Sequence, residues 1–161
     1  LRCFMDKYFF DKINIKKENI DFLNGRAKNK KEECKRYERA IRKARIDLQI
    51  LGIGENGHIA FNEPNSSFKS RTREVTLTEE TRKDNARFFN SINKVPREAL
   101  TIGLSTIMSA SKIVLLAFGK KKSGIVHRVL HGDISEDVPA SILRRHRNII
   151  FVLDKAATIL L

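Results

Sequence analysis

The stretch LQILGIGENGHIAFNEP, residues 48–64, joins a short apolar run to a loop crowded with glycine and polar side chains. The run Leu48–Ile53 predicts a buried β-strand, because it is short, apolar and interrupted by glycine at its end. The glycines that follow let the backbone turn sharply and approach a ligand closely. Ligands of parallel sheets bind where loops leave the carboxyl ends of strands. Residues 52–64 are therefore the first candidate for a functional loop.

Strand and helix patterns alternate on either side of this loop. Apolar residues at helical spacing predict a helix over residues 31–45, and Ile113–Phe118 is the clearest buried strand, followed by a helix over about 121–131. Further strands are predicted at 74–77, 99–103 and 148–153, and further helices at 79–89, 105–110, from Pro139 and from Asp154. Thr78 is the predicted N-cap of the helix at 79–89, and Ser105 that of the helix at 105–110. This order predicts an α/β domain with a mainly parallel sheet.

Composition excludes several classes of protein. The chain has 161 residues, enough for one domain, and its 41% of hydrophobic residues is too high for a disordered protein. No apolar run approaches the roughly 20 residues of a membrane span, and two cysteines cannot build a disulfide scaffold. The net charge of +13 allows an anionic partner, whether nucleic acid, membrane surface or phosphorylated metabolite.

Both ends of the chain are abrupt. The sequence opens at Leu1 with a pattern that predicts a helix already under way, and it stops at Leu161 within an apolar stretch. We interpret the chain as part of a longer protein.

The loop holds side chains suited to proton transfer. His58 is the residue whose basicity best matches neutral pH. Glu63, five positions later, can orient the imidazole through a hydrogen bond, and Asn56 can donate or accept beside it without charge.

The loop resembles the hallmark of the glucosamine-6-phosphate deaminase (isomerase) family, Gly-x-Gly-x-(Asn/Asp)-Gly-His-Ile-x-Phe-Asn-Glu-Pro. The resemblance extends over essentially the whole chain. The matching stretches are Tyr8–Phe10, Asn19–Ile20 with Leu23–Gly25, Arg36–Glu38 with Ile41, Ser70–Arg73, Asn85–Phe89, Val95–Pro96 with Ala99–Thr101, and Pro139–Ser141. It implies a Rossmann-like, three-layer α/β/α fold. Residues 1–161 then form a single partial domain, the middle and C-terminal portion, with the N-terminal part of the domain absent.

The resemblance implies a cytoplasmic enzyme of amino-sugar catabolism. Such an enzyme converts glucosamine 6-phosphate and water into fructose 6-phosphate and ammonia, without a metal or an organic cofactor. His58 is then the base that opens the sugar ring, and Asn56 and Glu63 support it. Arg87 and Lys122 match the cations that hold the substrate phosphate, a role that suits a bidentate guanidinium and a point charge.

The family's phosphate loop and the aspartate that moves a proton between C2 and C1 precede the region that this chain matches. We therefore expect the 161-residue chain to be inactive alone, although the protein from which it comes is a deaminase. Two alternatives stay open: a non-catalytic sugar-phosphate-binding remnant or sensor, and a related galactosamine-6-phosphate deaminase or 6-phosphogluconolactonase-like enzyme.

The sequence gives little support for a metal, nucleic-acid or membrane partner. His127 and His131 share a helix face, but the sequence offers no nearby third ligand, so no metal site is predicted. The basic clusters Lys120–Lys122 and Arg144–Arg147 lack interleaved stacking aromatics, and acidic residues are mixed among the bases of residues 31–45. We therefore predict neither a nucleic-acid partner nor a membrane partner. A partial domain leaves apolar faces uncovered, which favours a homo-oligomer.

Overall fold

The computed structural model describes residues 2–86, 89 and 91–161. Its strands are β1 (Leu48–Gly52), β2 (Arg73–Thr76), β3 (Glu98–Thr101), β4 (Lys112–Ala117) and β5 (Ile149–Leu153). Its α-helices are α1 (Arg2–Tyr8), α2 (Lys30–Ala44), α3 (Glu79–Asn85), α4 (Leu104–Ile107) and α5 (Ser123–His131). Short 3₁₀ helices span Phe10–Lys12, Lys17–Asn19, Ile92–Lys94, Lys120–Lys122 and Pro139–Arg145.

A parallel sheet organises the molecule. β4 lies between β1 and β5 and runs parallel to both, so the carboxyl ends of all three strands meet at one edge. In this register Gly52 of β1 stands opposite Leu116 of β4, and Leu116 opposite Val152 of β5. A separate antiparallel pair is formed by β2 and β3. The predicted α/β fold with a mainly parallel sheet is confirmed.

The hydrophobic core lies on one face of the sheet. Leu51 of β1 and Leu115 of β4 are almost fully buried, and side chains of α4, α5 and the Pro139–Arg145 helix pack over them. The helical contributors are Leu104, Ile107, Ile125, Val126, Val129, Ala140, Ile142 and Leu143. Burial of these side chains is the main free-energy term that stabilises this half of the fold.

The opposite face of the sheet is open. Ile50 and Ile150, which flank Val114 in the register, are 58% and 44% exposed, and Val152 is 39% exposed. The prediction of a buried strand over Leu48–Ile53 is therefore wrong for the side chains on the open face, such as Ile50. Side chains alternate between the two faces of a strand, and the helices of the described residues cover only one face. A second helical layer is not formed by these residues.

The long helix α2 follows its sequence pattern closely. The Asn29 side chain accepts a hydrogen bond from the Glu32 N–H and so caps the first turn, as expected for an N-cap asparagine. Cys34 is buried and leads the apolar stripe toward the interior, which confirms the predicted helix over residues 31–45. In the part of the chain that the structure describes, no helix combines the length and apolar character of a membrane span.

Three local predictions need correction. The residues after Asp154 form turns instead of a helix, because its carboxylate accepts hydrogen bonds from the Gly119 and Ala157 N–H groups and so closes a local turn. α4 begins at Leu104, where the Ser70 hydroxyl accepts from the backbone N–H, so Ser105 is not its cap. α3 ends at Asn85, four residues before its predicted end, and the predicted positions 87 and 88 lie outside the described residues. Thr78 caps α3 as predicted.

Candidate active site

The loop after β1 is folded into a tight turn by glycine. The Gly54 N–H donates to the His58 carbonyl at 2.9 Å, and the Gly57 N–H donates to the Gly54 carbonyl at 3.1 Å. Gly57 has a φ of +89°, and a Cβ there would lie 2.9 Å from Val138 Cγ1 and 3.0 Å from Ile125 Cδ1. Only glycine therefore allows both this backbone conformation and this close packing against α5.

Gly54 makes room for the imidazole of His58. A Cβ built on Gly54 would lie 2.1 to 2.6 Å from three atoms of the His58 ring. The ring therefore lies directly over the Gly54 backbone, where any side chain would displace it. The exposed fraction of the His58 side chain is 20%, so the ring is largely enclosed but accessible from one side.

Asn56 fixes the tautomer of His58. The Asn56 Oδ1 accepts the His58 backbone N–H at 3.1 Å, so this atom must be the amide oxygen. The same oxygen lies 2.7 Å from His58 Nδ1. Because an amide oxygen only accepts hydrogen bonds, Nδ1 must carry the proton, and the lone pair of the neutral ring is on Nε2.

Glu63 completes the group and is itself held in place. Its Oε2 accepts from Asn56 Nδ2 at 2.8 Å and lies 3.5 Å from His58 Nδ1. Its Oε1 accepts from the hydroxyl of Thr81, and from that of Thr78 at 3.3 Å. The carboxylate is therefore clamped between the loop and the first turn of α3.

Asn62 braces the loop from within. It is fully buried, and its Nδ2 donates to the carbonyls of Ile59 and Ile102, at 2.9 Å each. Its Oδ1 accepts from Arg73 Nη1 at 2.8 Å, and burial lowers the pKa of Arg73. A satisfied buried amide of this kind sets one conformation, which positions the adjacent Glu63.

This arrangement is suited to general acid–base chemistry. The Nε2 lone pair of His58 can take a proton from a bound hydroxyl group and return it later. After it takes the proton, the His58 ring is a positively charged imidazolium. The carboxylate of Glu63, whose Oε2 lies 3.5 Å from Nδ1, stabilises that charge. No group of three His, Cys, Asp or Glu side chains close enough to hold a metal occurs among the described residues.

The two predicted phosphate-binding cations have different outcomes. Lys122 ends the 3₁₀ helix that leads into α5, on the connection after β4. Since β1 and β4 are adjacent and parallel, this connection and the His58 loop leave the same edge of the sheet. Arg87 lies outside the described residues, two positions beyond the end of α3.

Sequence reasoning brought together Asn56, His58 and Glu63 but missed the partners that hold them. Thr81 and Thr78 follow Glu63 by 18 and 15 positions, and the sequence predicts only the N-cap role of Thr78. Arg73 contacts the brace residue Asn62 from β2. The one signal in the sequence was the polar hydroxyl of Thr81 in the first turn of the predicted helix. In the structure Thr81 is 3% exposed, and a buried hydroxyl needs a hydrogen-bond partner.

Comparison with known proteins identifies the family of the chain. The family described as glucosamine-6-phosphate isomerases/6-phosphogluconolactonase matches residues 3–151. The chain belongs to this family. The glucosamine-6-phosphate deaminase of Thermoanaerobacter sp. (strain X514) is 51% identical over 159 residues, a match that covers 98% of this chain and 63% of that protein.

Solved structures of the family agree. A monomeric glucosamine-6-phosphate deaminase superposes with a TM-score of 0.95 at 47% identity, over 98% of this chain and 66% of that one. The 6-phosphogluconolactonase from Thermotoga maritima has a TM-score of 0.67 at 22% identity, over 93% and 63% of the two chains, and shares the fold. This member of the family thus spans less than two thirds of the Thermoanaerobacter relative.

Proposed function

We propose that this chain carries the ring-opening half of a glucosamine-6-phosphate deaminase. The observation that supports the proposal most directly is the Asn56–His58–Glu63 group, in which the neutral histidine is held with its lone pair on Nε2. The deaminases about 50% identical to the chain make this the favoured member of the family's activities.

In the proposed reaction, His58 Nε2 takes the proton of the C1 hydroxyl as the C1–O5 bond of the sugar breaks, and O5 gains a proton. The open aldehyde then isomerises by transfer of a proton from C2 to C1. Water adds at C2 and ammonia leaves, which balances glucosamine 6-phosphate and water against fructose 6-phosphate and ammonia. Glu63 stabilises the imidazolium of the first step, and Asn56 keeps the ring aligned.

Substrate phosphate is the proposed partner of Lys122 and Arg87. A phosphate dianion needs cationic donors, and an arginine binds it with two parallel hydrogen bonds. Lys122 is the N-cap residue of α5, and the partial positive charge of a helix N-terminus favours an anion. We assign the C2-to-C1 proton transfer to residues outside this chain, so the isolated 161 residues are expected to lack turnover. Residues 1–161 are on this proposal one partial domain.

The test compares three proteins. They are the purified chain, a fusion that adds the N-terminal part of the Thermoanaerobacter relative before Arg2, and the same fusion with His58→Gln. Ammonia and fructose 6-phosphate are measured from glucosamine 6-phosphate. The proposal expects no turnover from the chain, turnover from the fusion, and a loss of about a hundredfold or more from the His58 variant, the scale of one general base. A folded fusion without turnover would overturn the assignment.

Further arms separate the alternatives. Galactosamine 6-phosphate and a 6-phosphogluconolactone replace the substrate in two assays, and calorimetry records binding without turnover. Faster lactone hydrolysis would favour the lactonase alternative, and tight binding by an inactive fusion would favour a sensor. The continuation Ile59–Pro64, with Glu63 clamped beside His58, favours the deaminase.

We propose that the enzyme acts in the cytoplasm on a phosphorylated sugar of amino-sugar catabolism, without a cofactor. A phosphorylated sugar is a metabolite of the cell interior. The free thiols Cys3 and Cys34 suit a reducing compartment. We also propose self-association of the isolated chain through the open face of its sheet.

A further inference from the structure

A basic groove runs along α2, apart from the His58 loop. Its larger part encloses about 540 Å³ between α2 and the segment Arg71–Glu74, and seven of its eleven lining residues are lysine or arginine. A second hollow of about 320 Å³ continues it toward the hydroxyls of Ser105 and Ser109. The two hollows share Arg42 and Arg71, so they form one continuous groove.

The fold separates the charges that the sequence mixes. Glu38, on the groove floor, points inward, where its Oε1 accepts from the Thr72 N–H at 2.8 Å and from the Thr72 and Thr106 hydroxyls at 2.6 Å each. Glu33 turns to the other side of α2, where it accepts two hydrogen bonds from Arg36. Glu33 and Glu38 are thus turned away from the cations along α2, whereas Glu32 pairs with Lys35 and Glu74 pairs with Lys30 at the groove itself.

The cations that remain form a row. Lys31, Lys35, Arg39 and Arg42 follow one another at helical spacings of four, four and three, so they share one side of α2. Lys35 pairs with Glu32 at 2.8 Å, but both side chains are more than half exposed, and such surface pairs contribute little. Arg71, 62% exposed, lines the opposite wall, where its Nη1 lies 3.4 Å from Glu38 Oε2.

The length of the row selects the ligand. From Lys31 to Arg42 the helix rises about 16 Å at 1.5 Å per residue, which is longer than one phosphate group and matches a short run of phosphates along one nucleic-acid strand. The cations are spread along an open groove and do not converge on one point. A row of phosphates therefore fits better than a single phosphate group.

We infer that the groove along α2 binds the phosphate backbone of nucleic acid, without base readout. The groove lining includes no aromatic side chain on which bases would stack, so contacts are to phosphate alone. This inference reverses the prediction from the sequence, where acidic residues mixed among the bases of residues 31–45 argued against a nucleic-acid partner. It does not depend on the deaminase activity.

The experiment measures binding of a fluorescein-labelled 20-nucleotide oligouridine to the 161-residue chain by anisotropy. Binding with Kd between about 10⁻⁴ and 10⁻⁶ M is expected near physiological salt, the range of backbone-only binding. The variant Arg39→Glu/Arg42→Glu is expected to weaken binding at least tenfold. Its plot of log K against log salt concentration should flatten by about 1.4 for two lost contacts to a single strand.

The matched control is Arg145→Glu/Arg147→Glu. It changes the net charge by the same amount, at exposed positions of the other basic cluster. Less than a threefold effect is expected there. Equal weakening by both variants, or no binding by the wild type, overturns the inference. Tighter binding of polyglutamate than of oligouridine through the same residues also overturns it, in favour of an acidic protein partner.

Circular dichroism and thermal unfolding verify that each variant is folded. Arg39 and Arg42 are exposed, so their replacement should leave the fold intact. If the glutamate variant does not fold, Arg39→Gln/Arg42→Gln and Arg145→Gln/Arg147→Gln replace the two proteins, and the same order of affinities decides the outcome.

Discussion

At the scale of single residues, Asn56 joins two groups that a carboxylate could not join. Its Oδ1 accepts from His58 while its Nδ2 donates to Glu63. An aspartate at this position could accept from His58 but would repel Glu63. The amide therefore sets the histidine tautomer and the carboxylate position with one side chain.

Replacement of Asn56 tests this division of roles. Asn56→Leu removes both contacts and should leave His58 a mixture of tautomers, whereas Asn56→Asp should keep the proton on Nδ1 while it releases Glu63. Nitrogen-15 spectra of the neutral His58 ring, in the 161-residue chain, distinguish the tautomers. An unchanged tautomer ratio in Asn56→Leu would contradict the assignment.

Gly54→Ala tests the placement of the ring. The added Cβ would lie 2.1 Å from His58 Cε1, so the ring must move by about 1 Å or more, and kcat of the active fusion should fall about a hundredfold. Gly52→Ala is the matched control, because a Cβ there meets nothing within 4 Å. Similar kcat values for the two variants would show that the ring is not held over Gly54.

At the scale of elements, Glu38 attaches α2 to the rest of the molecule. Burial alone raises the pKa of a carboxyl, but hydrogen bonds from Thr106 and Thr72 and the nearby Arg71 outweigh it, so the pKa of Glu38 lies below its usual value. One carboxylate thereby links α2 to the start of β2 and to α4. The Glu38 side chain thus both lines the floor of the basic groove and attaches α2 to its neighbours.

Substitution of Glu38 should therefore be costly. Glu38→Ala should lower the free energy of unfolding by about 3 kcal/mol, because it leaves buried donors such as the Thr72 N–H without an acceptor. Glu32→Ala, at an exposed position of the same helix, should change it by less than about 1 kcal/mol. Urea unfolding at pH 7 measures both, and equal losses would contradict the role given to Glu38.

The pH dependence of stability carries the same signature. A carboxyl whose pKa is lowered by folding stabilises the fold above its unfolded pKa, and that stabilisation disappears as pH falls through the folded value. The advantage of the wild type over Glu38→Gln should thus be full above about pH 5 and shrink as pH falls below about 4.3. Urea unfolding across this range follows the difference, and a constant gap would argue against a charged Glu38.

Local patterns predicted elements and the core of the site, whereas long-range contacts escaped them. The stripe of α2, the strands around β4 and the trio Asn56, His58 and Glu63 are encoded within short segments. The clamp of Thr81 on Glu63 and the bond of Thr106 to Glu38 join residues 18 and 68 positions apart. Such contacts leave no periodic pattern in the sequence. The same is true of the contacts of the Asp154 carboxylate, which close a turn where the sequence predicted the start of a helix.

At the scale of the whole molecule, the open face of the sheet is an exposed apolar surface. Ile50, Val114 and Ile150 form one row across three strands, and Leu116 and Val152 form the next. Exposed patches of this kind are uncommon on isolated soluble domains and drive association.

Charges on this face should reduce association. Ile50→Lys/Val152→Lys should shift sedimentation toward a monomer relative to the wild type, since both side chains are already exposed and their replacement should leave the core intact. Ile159→Lys, 61% exposed and outside the strands, is the control. An equal shift in the control, or none in the double variant, would place association elsewhere on the surface.

The register between β1 and β4 also fixes the distance between the His58 loop and the Lys122 connection. The His58 loop leaves one strand and the Lys122 connection leaves the other, so their separation along the sheet is counted in whole residues of about 3.3 Å. Deletion of one residue within β1 would turn Leu51 out of the core and shift the loop along the sheet by one residue, about 3.3 Å. The turns can therefore accept insertions or deletions, but the number of residues in β1 and β4 must stay the same for the site to keep its geometry.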